Sequence, residues 1–184
     1  MNKGVIITIV VIAVLLLASL FSYNGLVSSR EEVREKESVI DVQLKRRADL
    51  IGNLVESVKG YMEHETEIIT VVSESRAKLA GAKTVSEKAA ANDETVAALS
   101  GFLAISESYP EIKTDANFRQ LSDELAGTEN RISTARIDYN KAASTYNKKI
   151  ITLPGSLFAG QMGLERVEYF EATEVEREAP KVQF

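Results

Sequence analysis

Between residues 33 and 79 one stripe recurs every third or fourth position: Val33, Glu37, Ile40, Leu44, Arg47, Ile51, Leu54, Val58, Tyr61, Glu65, Ile68, Val72, Ser75 and Leu79. Most of these side chains are apolar, and 3-4 spacing holds them on one side of an α-helix. Ala48, Val55, Met62 and Ile69 form a second column beside the first. A stripe this wide suits a helix packed against more than one neighbour, not a two-stranded coiled-coil seam. No Pro interrupts it, and Gly52 and Gly60 are its weak points, each costing about 1 kcal/mol relative to Ala. The pattern predicts one long helix from about Leu26 to about Ala80, ended by Gly81 with Lys78 and Lys83 nearby.

Ahead of that helix lies an apolar run. Residues 4–21 carry no charge, and thirteen of the eighteen are Ile, Leu, Val or Phe. At ~1.5 Å per residue they reach about 27 Å, and the uncharged flank 22–29 extends them across a hydrocarbon layer of roughly 30 Å. Each such side chain favours insertion by about 0.3–0.6 kcal/mol, so the sum is several kcal/mol. A cleaved signal peptide would have a shorter core and a small-residue cut site. The exit Leu20-Phe21-Ser22-Tyr23-Asn24 is bulky, which favours a retained anchor, and Tyr23-Asn24-Gly25 reads as a point where the helix loosens. Positive charge flanks the run on both sides, with Lys3 before it and Arg30, Arg34, Lys36, Lys45, Arg46 and Arg47 after it, so charge alone leaves both orientations open.

Further along, Asn92-Asp93-Glu94 reads as the opening of a second helix, with Val96, Leu99, Leu103 and Ser106 on one face, Phe102 and Ile105 beside them, and Pro110 ending it. The third helix, from Thr114 or Asp115 to about Ile150, has the cleanest repeat: Phe118, Leu121, Leu125, Thr128, Ile132, Ala135, Tyr139, Ala142, Tyr146 and Lys149. Pro154-Gly155 stops it, a short apolar piece at 156–164 follows, and Val167, Tyr169 and Phe170 are anchors in an acidic tail held loosely. The fold class is therefore all-α: an antiparallel bundle of three long helices plus a short fourth, preceded by one N-terminal transmembrane helix. The division by composition is 1–25 tail and anchor, 26–160 bundle and 161–184 acidic tail. The middle helix is shorter than its neighbours, so either the third overshoots it or the first breaks near Gly60.

Chemistry is scarce. With no Cys, thiolate nucleophiles, disulfides and zinc–thiolate sites are excluded, and a net charge of −5 argues against a nucleic-acid partner. The one His, His64, sits with Glu63, Glu65 and Glu67, but the position three before it is Tyr61, and no second His completes a di-iron pattern. It is read as a structural or surface residue. Gly155, Gly160 and Gly163 mimic a phosphate loop without its Lys-Ser/Thr, and a Ser-His-Asp site would rest on His64 alone. No catalytic, metal or cofactor residue is assigned. The notable polar set is Arg46, Arg47, Asp49, Asn53, Glu65, Glu129, Asn130, Arg136, Tyr139, Asn140 and Asn147. It reads first as a network fixing helix register, since buried charge must be paired, and second as a ligand or partner cleft.

Several runs resemble the LemA family: Tyr23-Asn24-Gly25-Leu26-Val27, residues 43–55 (QLKRRADLIGNLV), Val58-Lys59-Gly60-Tyr61 and His64-Glu65. Glu107-Ser108-Tyr109-Pro110, Asn117-Phe118-Arg119-Gln120-Leu121, Thr128-Glu129-Asn130-Arg131-Ile132, residues 135–140 (ARIDYN) and Tyr146-Asn147 continue the likeness. It covers about residues 23–154, with weaker echoes in Tyr169-Phe170 and Val182-Gln183-Phe184. Gly52 departs from it, standing where many members carry Pro. The resemblance implies a bacterial single-pass protein of the inner membrane with a four-helix-bundle-like soluble part. It also implies a short outer N-terminus, the bulk in the cytoplasm and no assigned enzymatic activity; one branch of the family is associated with magnetosome membranes. The expected function is a non-catalytic scaffold or adaptor held in the bilayer through residues 4–21, with a second copy or a membrane protein as partner. The alternatives are a tethered small-ligand sensor using the polar set and a helical protein secreted after signal cleavage.

Overall fold

The structure is a computed structural model and describes residues 3–62 and 64–171. Among these residues every regular element is helical: α1 (Lys3–Val58), α2 (Thr66–Gly81), α3 (Val85–Ser106), α4 (Pro110–Thr114), α5 (Ala116–Ile151) and α6 (Gly155–Ala159). The all-α bundle expected from the periodicity is present. The chain divides into two compact units.

The larger unit comprises Ser38–Ile137 and Tyr169–Phe184. Its helices are the later part of α1, then α2, α3, α4 and the earlier part of α5. The long first helix breaks between Val58 and Thr66, the second of the two outcomes that the mismatch in helix length allowed. Val58 O accepts from both Tyr61 N (2.8 Å) and Met62 N (3.0 Å), which closes the helix end, and Glu65 N donates to Met62 O (3.0 Å). Met62 is fully buried in this turn, so the reversal is plugged by an apolar side chain. Arg76 Nε donates to Ala48 O at 2.7 Å, and Lys78 pairs with Glu94, so α1, α2 and α3 run alternately up and down. The break thereby supplies a long helix that the sequence pattern assigned to α1, and the bundle of this unit reaches four long helices.

The core of this unit is Leu50, Ile51, Leu54, Val58, Met62, Val72, Ala98, Leu99, Phe102, Ile112, Phe118 and Leu125. On α3 the buried face is Ala91, Thr95, Ala98, Leu99, Phe102 and Ser106, while Val96 and Leu103 are exposed. Of the expected face, Leu99, Phe102 and Ser106 are buried, while the seam is turned away from Val96 and Leu103 toward Ala91, Thr95 and Ala98. Small side chains let α2 and α3 approach closely, and Thr95 Oγ1 donates to Ala91 O (2.7 Å) while lying 3.4 Å from Ser75 O of α2. The start of α3 is also corrected. It begins at Val85, not Asn92, because Thr84 and Glu87 form a reciprocal capping box. Asp115 opens α5 by accepting from Phe118 N at 2.9 Å.

The smaller unit comprises Met1–Glu37 and Asp138–Glu168. Its first helix is the start of α1, which passes through Tyr23-Asn24-Gly25 without a break. Ser29 Oγ donates back to Gly25 O (2.9 Å), and Lys149 Nζ to the same carbonyl (3.1 Å). These bonds supply extra partners at the weak point. Leu26, Val33, Tyr139, Ala142, Ala143, Tyr146 and Ile150 are buried here. After α6, Gly163 takes a left-handed backbone (φ 60°), which glycine adopts at no steric cost, and Leu164 N closes on Ala159 O at 2.9 Å. Val167, expected to anchor the tail, does so here, while the part of the tail at 172–184 lies outside the described residues. Asn147 Nδ2 donates to Val167 O and Val167 N to Asn147 Oδ1, both at 2.9 Å, and Tyr139 Oη donates to Glu168 O at 2.9 Å. Glu63 and Val182-Gln183-Phe184, quoted above, lie outside the described residues.

Candidate polar network in the helical bundle

The larger unit places one charged residue of the α1 stripe deep among helices. Arg47 has a side chain only 3% exposed, with Nη1 donating to Asn92 Oδ1 of α3 at 2.6 Å and Nε reaching Thr128 Oγ1 of α5 at 3.4 Å. Its remaining donor pairs with Glu129 of α5, which is 43% exposed and so partly hydrated. Arg47 therefore joins three helices through one planar cation, which the fixed fork of guanidinium donors suits and a Lys would not. Asn92 is itself buried, and among the described residues its Nδ2 has no hydrogen-bond partner, so the Arg47 bond is what holds its amide.

A second buried cation, paired with a half-exposed carboxylate, stands on the same unit. Lys88 of α3 has a side chain 8% exposed and lies 2.6 Å from Asp41 of α1. Arg136 of α5 lies 4.0 Å from Asp93, donates to Glu171 O at 3.1 Å and stacks its guanidinium 5.6 Å from the Phe170 ring centroid. At the α1–α2 turn Glu65 accepts from Tyr109 Oη at 2.8 Å, which holds the phenol above its usual titration range. Arg46 lies over Glu124 at 3.3 Å, and hydrogen bonds from Gln120 and Arg46 lower the Glu124 carboxyl. A groove of about 520 Å³ opens beside Asp41, Ala48, Arg76, Leu79, Lys83 and Lys88.

Of the polar residues singled out in the sequence, Arg47 and Glu129 are brought together, and Arg46 takes Glu124 instead. Arg136 and Glu129, one heptad apart, have different partners. Asp49 pairs across its own helix with Lys45 (3.6 Å), and Asn53 and Asn130 are exposed. Tyr139, Asn140 and Asn147 belong to the smaller unit, where burial pushes the Tyr139 phenol up to about 12, helped by Glu37 and Glu168. Asn92, Asp41 and Lys88 were missed. Asn92-Asp93-Glu94 looked like a helix start, and reading the Thr84-x-x-Glu87 box first would have moved Asn92 into the helix interior. His64 is exposed on the turn, and among the described residues no three His, Cys, Asp or Glu side chains gather where a metal would sit.

In the smaller unit, none of the apolar window of α1 is buried, unlike the core helix of a soluble protein. A candidate membrane span joined to a bundle with a buried ionic network defines the class: a membrane-associated, all-helical protein. The chain belongs to the LemA family, whose model matches residues 36–184. Among curated proteins it is similar to magnetosome protein MamQ 2 of Paramagnetospirillum magneticum, 28% identical over 93% of this chain and 74% of that protein. Magnetosome protein MamQ of Magnetospirillum gryphiswaldense is 27% identical over 92% of this chain and 74% of its own length. Protein LemA of Metamycoplasma hominis is 27% identical over 84% of this chain and 71% of its own.

Proposed function

We propose that this chain is a non-catalytic scaffold or adaptor, anchored in the bacterial inner membrane through residues 4–21 and binding a second copy or a membrane protein through its bundle. The observation that carries the reading is the unburied apolar window of α1, set on a helix that continues without interruption to Val58. An apolar surface of that length left in water would be strongly unfavourable, and a bilayer is the solvent that relieves it. The buried Arg47 and Lys88 side chains, each with an ionic partner, support a structural use of the polar residues. Each charge already has a protein partner, and the gain is a fixed helix register, at little net stability. The similarity to proteins named for magnetosomes supports a membrane setting without supplying a process. The proposed orientation puts the short N-terminus outside and the bundle in the cytoplasm.

The test is alkaline carbonate extraction followed by cross-linking in intact membranes. The chain is expected in the pellet, with discrete cross-linked oligomers or one defined co-purifying protein. Recovery in the carbonate supernatant overturns the anchor, and monomers with no companion overturn the scaffold. Protease added outside intact spheroplasts should leave the bundle uncut in the proposed orientation and degrade it in the opposite one.

A further inference from the structure

Within the smaller unit the α5–α6 corner presents an apolar edge. Ile151, Leu153 and Leu157 are 60%, 75% and 62% exposed, more than an edge facing water normally shows in so short a stretch. The corner is seated against the end of the apolar run. Thr152, Leu153 and Pro154 face Phe21, Gly25 and Leu26 across a groove of about 220 Å³. Gly155 makes the tight corner itself possible, since a Cβ there would lie 2.1 Å from Lys149 O, while Leu26 Cδ2 would stand at an ordinary contact distance of 3.6 Å.

Residues 4–21 span about 27 Å of a hydrocarbon layer roughly 30 Å thick, so its edge falls one or two residues beyond Phe21. The corner is therefore level with the acyl–headgroup boundary. Part of its backbone is paired within the corner, which lowers the cost of entry into an apolar layer. Thr152 N donates to Lys148 O (3.0 Å), Ser156 N to Thr152 O (2.9 Å) and Leu157 N to Pro154 O (3.2 Å), and Pro154 has no N–H to satisfy. Lys148 and Lys149 are exposed on the last turn of α5, with Lys149 Nζ at Gly25 O, the level where a cation meets lipid phosphate. Tyr23, 48% exposed, adds an interfacial aromatic at the same level.

We propose that the α5–α6 corner is a second, non-spanning membrane contact: Leu153 and Leu157 enter the acyl–headgroup boundary beside the anchor, and Lys148 and Lys149 face anionic lipid phosphates. This rests on the anchoring of residues 4–21. Continuity with the exposed apolar surface of α1 identifies lipid as the occupant, because anything else covering the corner must displace lipid from the edge of the span.

The chain has no Cys, so single-Cys variants of the full-length protein can each carry one environment-sensitive fluorophore. Leu15→Cys, Leu153→Cys, Leu157→Cys and Lys141→Cys are reconstituted in phosphatidylcholine–phosphatidylglycerol vesicles, Lys141 being about 15 Å along α5 from Ile151. Emission is read with nitroxide lipids labelled at shallow or deep acyl positions, and with aqueous iodide. At positions 153 and 157 the expected result is loss of emission with the shallow nitroxide and protection from iodide. Position 15 should be quenched by the deep nitroxide, and position 141 by iodide alone. Labels at 153 and 157 that iodide quenches, while 15 still answers to lipid, overturn the corner contact and leave the anchor standing. Shielding of 153 and 157 from both quenchers overturns it in favour of a protein cover. Failure of nitroxide lipids to reach position 15 removes the anchor, and the inference with it. Because these side chains are exposed, the labelled variants should keep the parent circular dichroism.

Discussion

Replacing Arg47 by Met tests the buried network directly. Methionine keeps most of the stem volume, so apolar packing is largely retained and the change isolates the guanidinium. Three bonds disappear. Glu129, 43% exposed, can turn to water at little cost, and Thr128 keeps its bond to Leu125 O at 2.7 Å. Asn92 cannot recover in the same way. Its Oδ1 loses a 2.6 Å partner while its Nδ2 has none among the described residues, leaving the amide buried without a partner there. An orphaned buried polar atom costs about 1–3 kcal/mol, offset in part because the Arg charge need no longer be desolvated. We expect a net loss of about 2 kcal/mol, which for a chain of this length lowers Tm by about 4–8 °C. The assay is thermal unfolding of the full chain in detergent micelles, followed by far-ultraviolet circular dichroism. Arg47→Met combined with Asn92→Leu removes both polar groups, so the double variant should lose less than the two single losses added, by roughly 1 kcal/mol or more. An unchanged Tm for Arg47→Met, or strict additivity in the cycle, would refute the reasoning.

Other perturbations have equally definite outcomes. Gly155→Ala drives a Cβ into the Lys149 carbonyl and should destabilise by about 2–3 kcal/mol, visible in the same melt. Thr84→Ala removes one half of the capping box and should cost about 1 kcal/mol, with amide exchange faster in the first turn of α3 only. Backbone N–H groups of Lys83 and Thr84 hold the Glu87 carboxyl below its usual range. The cap's contribution is thus present above the unfolded carboxylate range and lost as pH falls through the folded value, and Glu87→Gln should flatten that dependence. The Tyr139 phenol keeps its proton to about 12 when folded. The unfolded chain releases it near ~10, so stability should decline as pH rises from there to the folded value, and Tyr139→Phe should abolish this component.

The stripes of α1 and α5 were legible because bulky side chains recur at helical spacing, and residues such as Ile40, Ile51, Leu54, Ile132 and Tyr146 are buried as that spacing predicts. Arg47 and Glu65 stood out by violating the stripe, and each has a partner from another segment. The face of α3 was harder to read, since Ala91, Thr95 and Ala98 contribute little hydrophobicity while occupying the close seam with α2. The break at 58–66 could be offered only as an alternative, because a single Gly60 weakens a helix by about 1 kcal/mol, less than tertiary packing decides. Tyr23-Asn24-Gly25 misled in the other direction, where a side chain from α5 supplied a partner that local propensity cannot anticipate. The paired bonds of Asn147 with Val167 bridge segments with no shared periodicity, so nothing in the residue pattern announces them.

That amide-to-backbone pairing has a bearing on biosynthesis. Asn147 leaves the ribosome before Val167, and until the later segment docks its amide can be answered by water. Docking then exchanges those waters for two backbone partners, so this face of α5 dries only when the chain beyond α6 has been made.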